Sequence, residues 1–549
     1  MSAVEGDHAA KLGDGAKGSL VDGADGRSGA VLRAIGAIEA VFDWLHALRS
    51  AGGVTTVLLP VLVLLMLPTK WGPNEDFYFM LSFKQVMPEA FSPYSAAFDA
   101  SNARILSELV IGGTIALLGY QGAQIVLHLV MAALYAFSLA YCLTGLRLSA
   151  VDALLALGIF VLVGPDLMGG EWLFLGVEPK TFAYAFVLFA LGLVCRERAG
   201  WAAAALVVAT YFHFLVGGFW AVAIFAFHAL RTDRLRPVFG PLAGYVAGVT
   251  PLLALLVYDR YVAGGAPVPE HGLTSDYIYS ILRSAWHVAP FVSLTEFRGW
   301  ADGIVATIAL CVAFTITAAR VSGNQRALVV WIAGLLLYLL AALFVTYLDR
   351  HTGHLGKFFL FRPSSLVLLL SIVAAISLLN WIGEGHSGPP VIIMQRAAFV
   401  VVTSLLVWEA GSEKLGDLIL GGSQYADLAG LAEFVQKNAE PDAIILTNRE
   451  ADMGPPGVHL PRLLDRPTLV SEKFVPTNPA DIYRWYDLLK FKEAVFAGDC
   501  PGPEDPPVRY LLLVEPEHGR EPPCGEVIWR SRHFVLAELP PRIAAGGQP

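Results

Sequence analysis

Charge is what this sequence has least of. Asp, Glu, Lys and Arg together make up 15% of the 549 residues, and mean hydropathy is +0.58. A soluble chain of this size needs more charge than that to cover its surface. The surplus apolar residues must face something other than water, and a lipid bilayer is the simplest such solvent. Basic blocks are missing too: net charge is −9 and no run of Lys and Arg tracks a phosphate backbone, which argues against nucleic acid as a partner. Cysteine is scarce. None of the five residues has CxxC spacing, and HExxH is absent, so no metal-ligand set and no structural zinc site is expected. The first thirty or so residues resemble neither a signal peptide nor a core. Residues 1–30 are mostly Gly, Ala, Asp and Ser with scattered charge, and read as a disordered tail.

What the chain does have is apolar sequence in blocks. Over residues 31–50, Val31, Leu32, Ile35, Ile38, Phe42, Leu45 and Leu48 recur at helical spacing, with Arg33, Glu39, Asp43 and Arg49 between them. That pattern suggests an amphipathic helix on the membrane surface. Residues 51–411 then hold candidate spans near 52–69, 121–144, 150–165, 180–196, 236–258, 302–320, 327–347, 363–382 and 394–411. Stretch 201–230 is apolar throughout. The arginine-dense loops Cys195–Arg198, Arg231–Arg236 and Arg320–Arg326 all belong on the cytoplasmic side by the positive-inside rule, so 201–230 must cross twice. His213 to Gly218 is the expected turn, because paired glycines suit one. The expected fold is a polytopic α-helical membrane protein of about eleven spans, with the N-terminus inside and the C-terminus outside.

Four loops then face outward: 70–120, 166–179, 259–301 and 348–362. Residues 412–549 read as a small extracytoplasmic α/β domain, with a helix at 428–437 and strands at 443–447, 510–515 and 534–539. Cys142, Cys195 and Cys311 lie in apolar runs and read as small hydrophobes, whereas Cys500 and Cys524 can pair as a disulfide if that domain is outside.

Chemistry concentrates in the outward loops. Glu75 and Asp76 sit side by side after the first span, in Pro73-Asn74-Glu75-Asp76-Phe77-Tyr78. Such carboxylates serve as a general base or hold a divalent metal or a sugar hydroxyl, although any outward loop begins with polar residues. The second loop adds Asp166, Glu171, Glu178 and Lys180. Lys180 opens a helix, where a cation is disfavoured, and so calls for an anionic partner unless it snorkels to the interface. The fourth loop gathers Asp349, Arg350, His351, His354, Lys357 and Arg362, a set suited to a lipid phosphate and equally to ordinary headgroups. His213 marks the hairpin tip, where a histidine is more often bonded to backbone than catalytic. In the third loop, Tyr277, Ile278, Ile281, Leu282, Trp286 and Phe291 form a stripe expected to rest on the bilayer or to flank a groove for a lipid chain.

A first span followed at once by an acidic pair and an aromatic resembles the GT-C superfamily of membrane glycosyltransferases. Glu178-Pro179-Lys180-Thr181-Phe182-Ala183-Tyr184, the hairpin with His213, Phe361-Arg362-Pro363 and the stretch Glu433–Asn438 through Asp442-Ala443 resemble uncharacterised bacterial members. The resemblance implies an inverting transferase in the cell inner membrane that uses a polyprenyl-phosphate sugar. Asp76 or Glu75 would be the base, with Asp76 preferred for its place before Tyr78 and Phe79. Glu171, Glu178, Lys180, His213, His351, His354 and Arg362 would bind substrate. The acceptor, whether glycan, lipid or protein, stays open. The second outward loop has no compact DxD, so a divalent metal (Mg or Mn) stays open as well. Two other readings remain. One is a transporter or flippase of a lipid-linked or anionic substrate, although the charges crowd at span ends and no repeat is visible. The other is a non-enzymatic assembly or sensor protein.

Overall fold

The computed structural model describes residues 36–37, 39–90, 102–174, 176–259, 272–385, 389–420, 422–448, 460–464, 466–514 and 521–540. The expected tail over 1–30 and the start of the amphipathic helix lie outside these residues. From residue 39 to 47 that helix is present: Phe42 and Leu45 are buried, while Arg396 pairs with Glu39 and Asp43 on its polar side.

The apolar blocks fold as helices wherever they are described. Among the described residues, six are long and apolar enough to cross a bilayer: Asn102–Gly145, Phe214–Thr232, Arg236–Tyr258, Leu294–Ala318, Gly323–Asp349 and Ser364–Ile382. Five shorter apolar helices occupy Ala51–Met66, Ala150–Val163, Pro179–Cys195, Ala199–Phe212 and Gln395–Leu406. Backbone polar groups have no partner in hydrocarbon, so a helix, which bonds its own backbone, is the form such sequence takes there. The chain is an integral membrane protein with one continuous apolar core through its helical part.

Four helices position the site: α1 (Ala51–Met66), α2 (Pro73–Val86), α3 (Ile105–Gly145) and α5 (Pro179–Cys195), with α4 (Ala150–Val163) between the last two. The region 70–120, expected to be loop, is largely helical where it is described, at 70–90 and 102–120. Proline starts α2 and its acids fill the first turn, both favourable at a helix N-terminus. Helix α3 begins well before the span near 121–144 and bends at Gly119, whose φ of 68° is open to glycine. Gly112 lets α3 press on α2, since a Cβ there would fall 2.0 Å from the Ser82 carbonyl oxygen.

The stretch 201–230 is two helices, α6 (Ala199–Phe212) and α7 (Phe214–Thr232), broken at His213 by an extended backbone (φ −156°, ψ 106°). The expected glycines do not form the turn. Gly217 lies inside α7, where a Cβ would meet the Thr210 backbone at 2.4 Å, so its role is close packing. Next come α8 (Arg236–Tyr258), α9 (Leu294–Ala318), α10 (Gly323–Asp349), α11 (Ser364–Gly385) and α12 (Pro389–Leu420).

The C-terminal domain is a four-stranded sheet between helices. Its strands are β1 (Ile444–Thr447), β2 (Val508–Val514), β3 (Glu526–Arg530) and β4 (Phe534–Glu538), in the order β1-β2-β4-β3. β1 and β2 are parallel and the other pairs antiparallel. Alternate residues face opposite sides. Ile444, Leu446 and Leu511 pack on Ile482, Trp485 and Leu489 of α15 (Pro479–Ala497), the helix that follows the short α14 (Leu460–Leu464). Ile445, Tyr510 and Leu512 pack on Leu428, Leu431 and Val435 of α13 (Gly422–Asn438). Strand β3 was not expected from sequence; it is an edge strand with charged ends and little burial. Cys500 and Cys524 form a disulfide, while Cys142, Cys195 and Cys311 are free.

The third-loop stripe does not simply rest on lipid. Ile278 is buried in the core it shares with the C-terminal domain, and Ile281 packs with Val288 and Phe359. The domain presents apolar surface there, and covering it removes more area from water than lying at the interface would.

Candidate active site

The two neighbouring acids of α2 part company because successive helical residues point about 100° apart. Glu75 turns into the bundle. Its carboxylate accepts hydrogen bonds from Gln124 Nε2 (3.0 Å), Val177 N (3.2 Å) and Gly72 N (3.3 Å), and is bonded to His128 Nε2. Four bonds from three parts of the chain make it a structural hub. Asp76 turns to the C-terminal domain. It is fully buried and ion-paired with Arg462 of α14, whose guanidinium lies 4.0 Å over the Trp71 ring.

The second loop forms the other wall. Gly169 and Gly170, both at positive φ, turn the chain so that Glu171 N donates to Asp166 Oδ2 at 3.0 Å. Lys180, at the start of α5, meets Glu171 at 2.7 Å and Glu178 at 3.8 Å, and lies 3.6 Å over the Trp172 ring. The anionic partner that its position demanded is therefore a pair of carboxylates. Trp172 Nε1 donates to Glu178 Oε1 at 3.0 Å. Burial would raise the Glu171 pKa, but the Lys180, Arg362 and His287 charges outweigh it and hold the carboxyl below its ordinary value. For Glu178, burial wins over Lys180 and Lys473, and its pKa is raised.

Arg362 joins these walls. Its Nη1 donates to His213 Nε2 at 2.6 Å, its Nε lies 3.5 Å from Glu171 Oε1, and its carbonyl accepts from the Tyr184 hydroxyl at 2.6 Å. Arg362 Nε and Glu178 Oε2 are both buried with no hydrogen-bond partner among the described residues. Each stays within ion-pair range of a neighbour, Arg362 Nε of Glu171 and Glu178 Oε2 of Lys180, but a buried donor without a hydrogen bond costs about 1–3 kcal/mol, so Arg362 Nε has capacity left for a ligand acceptor. Beside Arg362 opens an apolar cavity of about 270 Å³, lined by Phe214, Phe219, Trp220, Tyr338 and Phe359.

Glu171, Glu178, Lys180, His213 and Arg362 are thus gathered in one site. His351 and His354 lie elsewhere. His351 is exposed, and His354, with Lys357, binds Asp276 at 2.9 and 2.8 Å. Neither histidine is bonded to Arg362, Lys180 or Glu171 among the described residues. Glu171 and Glu178 face an ammonium where a divalent cation would have to sit, and no group of three His, Cys, Asp or Glu side chains is placed to hold a metal among the described residues. The residues present do not fit Mg or Mn, and no step is routed through one.

Sequence reasoning missed Arg104, His287, Arg462 and Lys473. Arg104 sits over the Tyr78 ring at 5.1 Å and pairs with Glu108 at 2.9 Å. His287 Nδ1 is bonded to the Gly169 carbonyl, and its pKa is lowered to about 4, chiefly by burial, with the Lys180 and Arg362 charges lowering it further. Only a cation in an otherwise apolar or proline-rich run hinted at Arg104 and Arg462.

No protein-family model and no curated protein matches this chain. Among solved structures it is similar to the crystal structure of ArnT from Cupriavidus metallidurans in the apo state, at 12% identity and a TM-score of 0.38, over 90% of this chain and 98% of that one. Superposition at that level is too loose for one molecule to speak for the other.

Proposed function

We propose that this protein is a membrane glycosyltransferase of the GT-C type, which moves a sugar from a polyprenyl-phosphate donor to an acceptor at the outer face of the inner membrane. The observation that supports this best is Arg362. Its guanidinium is mostly buried between an acid-and-lysine wall and an apolar cavity, and its Nε, 3.5 Å from Glu171, makes no hydrogen bond among the described residues. A lipid phosphate fits that combination: oxygens for the guanidinium and Lys180, hydrocarbon for the cavity.

In the reaction, the acceptor hydroxyl oxygen attacks the anomeric carbon from the side opposite the phosphate, so configuration inverts. The bond from that carbon to the phosphate oxygen breaks, and the phosphate leaves with the electron pair. The hydroxyl proton passes to Asp76. Arg362 and Lys180 stabilise the charge that grows on the leaving phosphate, worth about 3–4 kcal/mol per well-placed donor. Asp76 is engaged by Arg462 in the state described, so the acceptor must take over part of that contact. Glu75 holds α2, α3 and the second loop together.

We read all eleven apolar helices as crossings, with the C-terminal domain outside and the N-terminus inside. In support, Arg196 bonds the Tyr141 carbonyl and Arg231 the Val194 carbonyl, which gathers two arginine-dense loops at one end of the bundle.

Purified protein given a radiolabelled polyprenyl-phosphate sugar should release lipid phosphate, and Asp76→Asn should abolish release while the protein stays folded. Full activity in both Asp76→Asn and Glu75→Gln would sink the assignment. Uptake of the lipid without transfer would favour a flippase.

A further inference from the structure

The C-terminal domain reaches the site through a short strap, residues 471–476. Two anchors hold it. Arg283 Nε donates to the Glu472 carbonyl. Phe474, almost wholly buried, stacks on Phe77 of α2 at 5.1 Å and packs with Met80 and Leu81. Behind the strap, Trp485 Nε1 donates to the Ser471 carbonyl at 2.8 Å. Lys473 lies between the anchors. Its ammonium makes no ion pair or hydrogen bond among the described residues, yet it is near enough to Glu178, Lys180 and Arg283 to feel their charges.

Lys473 is half-buried, and the nearby Glu178 charge offsets only part of what its desolvation costs. Glu171 and Glu178 already hold Lys180 between them, at 2.7 and 3.8 Å, and Glu171 also lies 3.5 Å from Arg362. Those cations have carboxylate partners, whereas Lys473 has no ion pair among the described residues. An anionic ligand would supply one.

We propose that Lys473 is a substrate-binding residue, supplied by the C-terminal domain, which completes with Lys180 and Arg362 a cradle for the lipid phosphate. The inference rests on the reading of the site as a polyprenyl-phosphate site, and it gives the domain a direct part in that site. The third cation matters most as the sugar leaves. The donor is a phosphodiester with one negative charge, whereas the freed monoester carries about 1.5 to 2 near neutral pH. A further ammonium beside Lys180 therefore favours the departing phosphate over the bound donor.

The test uses the full chain in lipid nanodiscs, with polyprenyl phosphate as the probe. Lys473→Ala should weaken its binding about tenfold, the loss of one charge-assisted hydrogen bond, while Lys473→Arg keeps it within about threefold. Lys473→Glu should weaken it further. In the wild type, bound polyprenyl phosphate should protect Lys473 from acylation by an amine reagent, a readout that a merely structural lysine would not give. Unchanged affinity in Lys473→Ala, or acylation that the lipid does not slow, overturns the inference and leaves the reading of Arg362 standing. Failure of the wild type to bind the probe overturns both. If Lys473→Ala unfolds early on heating, Lys473→Arg and the acylation experiment decide.

Discussion

Two loops of this protein carry nearly the same letters and have different fates. The loop at 166–179 (the second) and that at 348–362 (the fourth) each offer acids, lysine and, in the fourth, arginine and histidine at the end of an apolar helix. In the second, Glu171, Glu178 and Lys180 are all buried in one ion-pair network, which Glu171 joins to Arg362. In the fourth, His351 is exposed and His354 and Lys357 make a partly exposed pair with Asp276. Arg362 ends the fourth loop in sequence but belongs to the second in space. The same residue types mean little where water screens them and a great deal where it does not.

The sharpest way to break this comparison is Arg362→Ala. Release of lipid phosphate should fall about a thousandfold, the scale for losing a donor to developing charge. Arg362→Lys should recover only part of it, because an ammonium cannot bridge His213, Glu171 and a phosphate at once. A variant within about threefold of wild type, measured by lipid phosphate release, would place the chemistry elsewhere.

Next is Lys180→Ala, which leaves Glu171 and Glu178 buried without their cation. Such removal costs about 3–5 kcal/mol, so the midpoint of unfolding in denaturant should drop clearly. Pairing it with Glu171→Gln should restore part of the loss. If the double variant is no better than the single, the two residues do not act as a pair.

A middle-sized effect concerns pH. Burial, helped by the Arg283 and Lys180 charges, brings the Lys473 pKa down to about 8, with Glu178 opposing. The ammonium is thus present below that pH and is lost as pH rises through it. Affinity for polyprenyl phosphate should therefore decline above about pH 8 in the wild type. Lys473→Arg should stay level over the same range, because guanidinium does not titrate there. Titration of binding against pH for the two proteins checks this.

The smallest effects belong to the fourth loop. Asp276 has its pKa lowered: burial opposes this, but the bonds from Lys357 and His354 prevail. Being partly exposed, the pair with His354 is worth no more than about 1 kcal/mol. His351→Ala and His354→Ala should each leave lipid phosphate release within about twofold of wild type, since neither histidine touches Arg362. A large loss in either would mean that this loop folds onto the site when substrate binds.

Much of the architecture was legible in the chain. Hydropathy is a sum over neighbours in sequence, so the apolar blocks, the break at His213 and three of four strands could be read directly. The hidden elements were those whose signal is weak or distributed. α2 is too short and too polar to register as a span, and the exposed edge strand β3 lacks apolar alternation. Glycine at Gly217 signalled a turn by type, but in place it serves a close crossing with Thr210.

The site was legible only by residue type. An apolar chain must justify each charge it keeps, so the acids at Glu75 and Asp76, Lys180 and Arg362 stood out. Which of them meet was beyond sequence. Asp76 and Arg462 are 386 positions apart, and Lys473 is carried toward Glu178 and Lys180 by a domain whose own core gives no hint of that task. What the sequence by itself determined is that the chain is a set of apolar helices with a sheet domain attached, because burial follows from composition along the chain. What only the tertiary structure decided is which charges are shielded together, because electrostatic pairing depends on distance and exclusion of water, and neither runs along the chain.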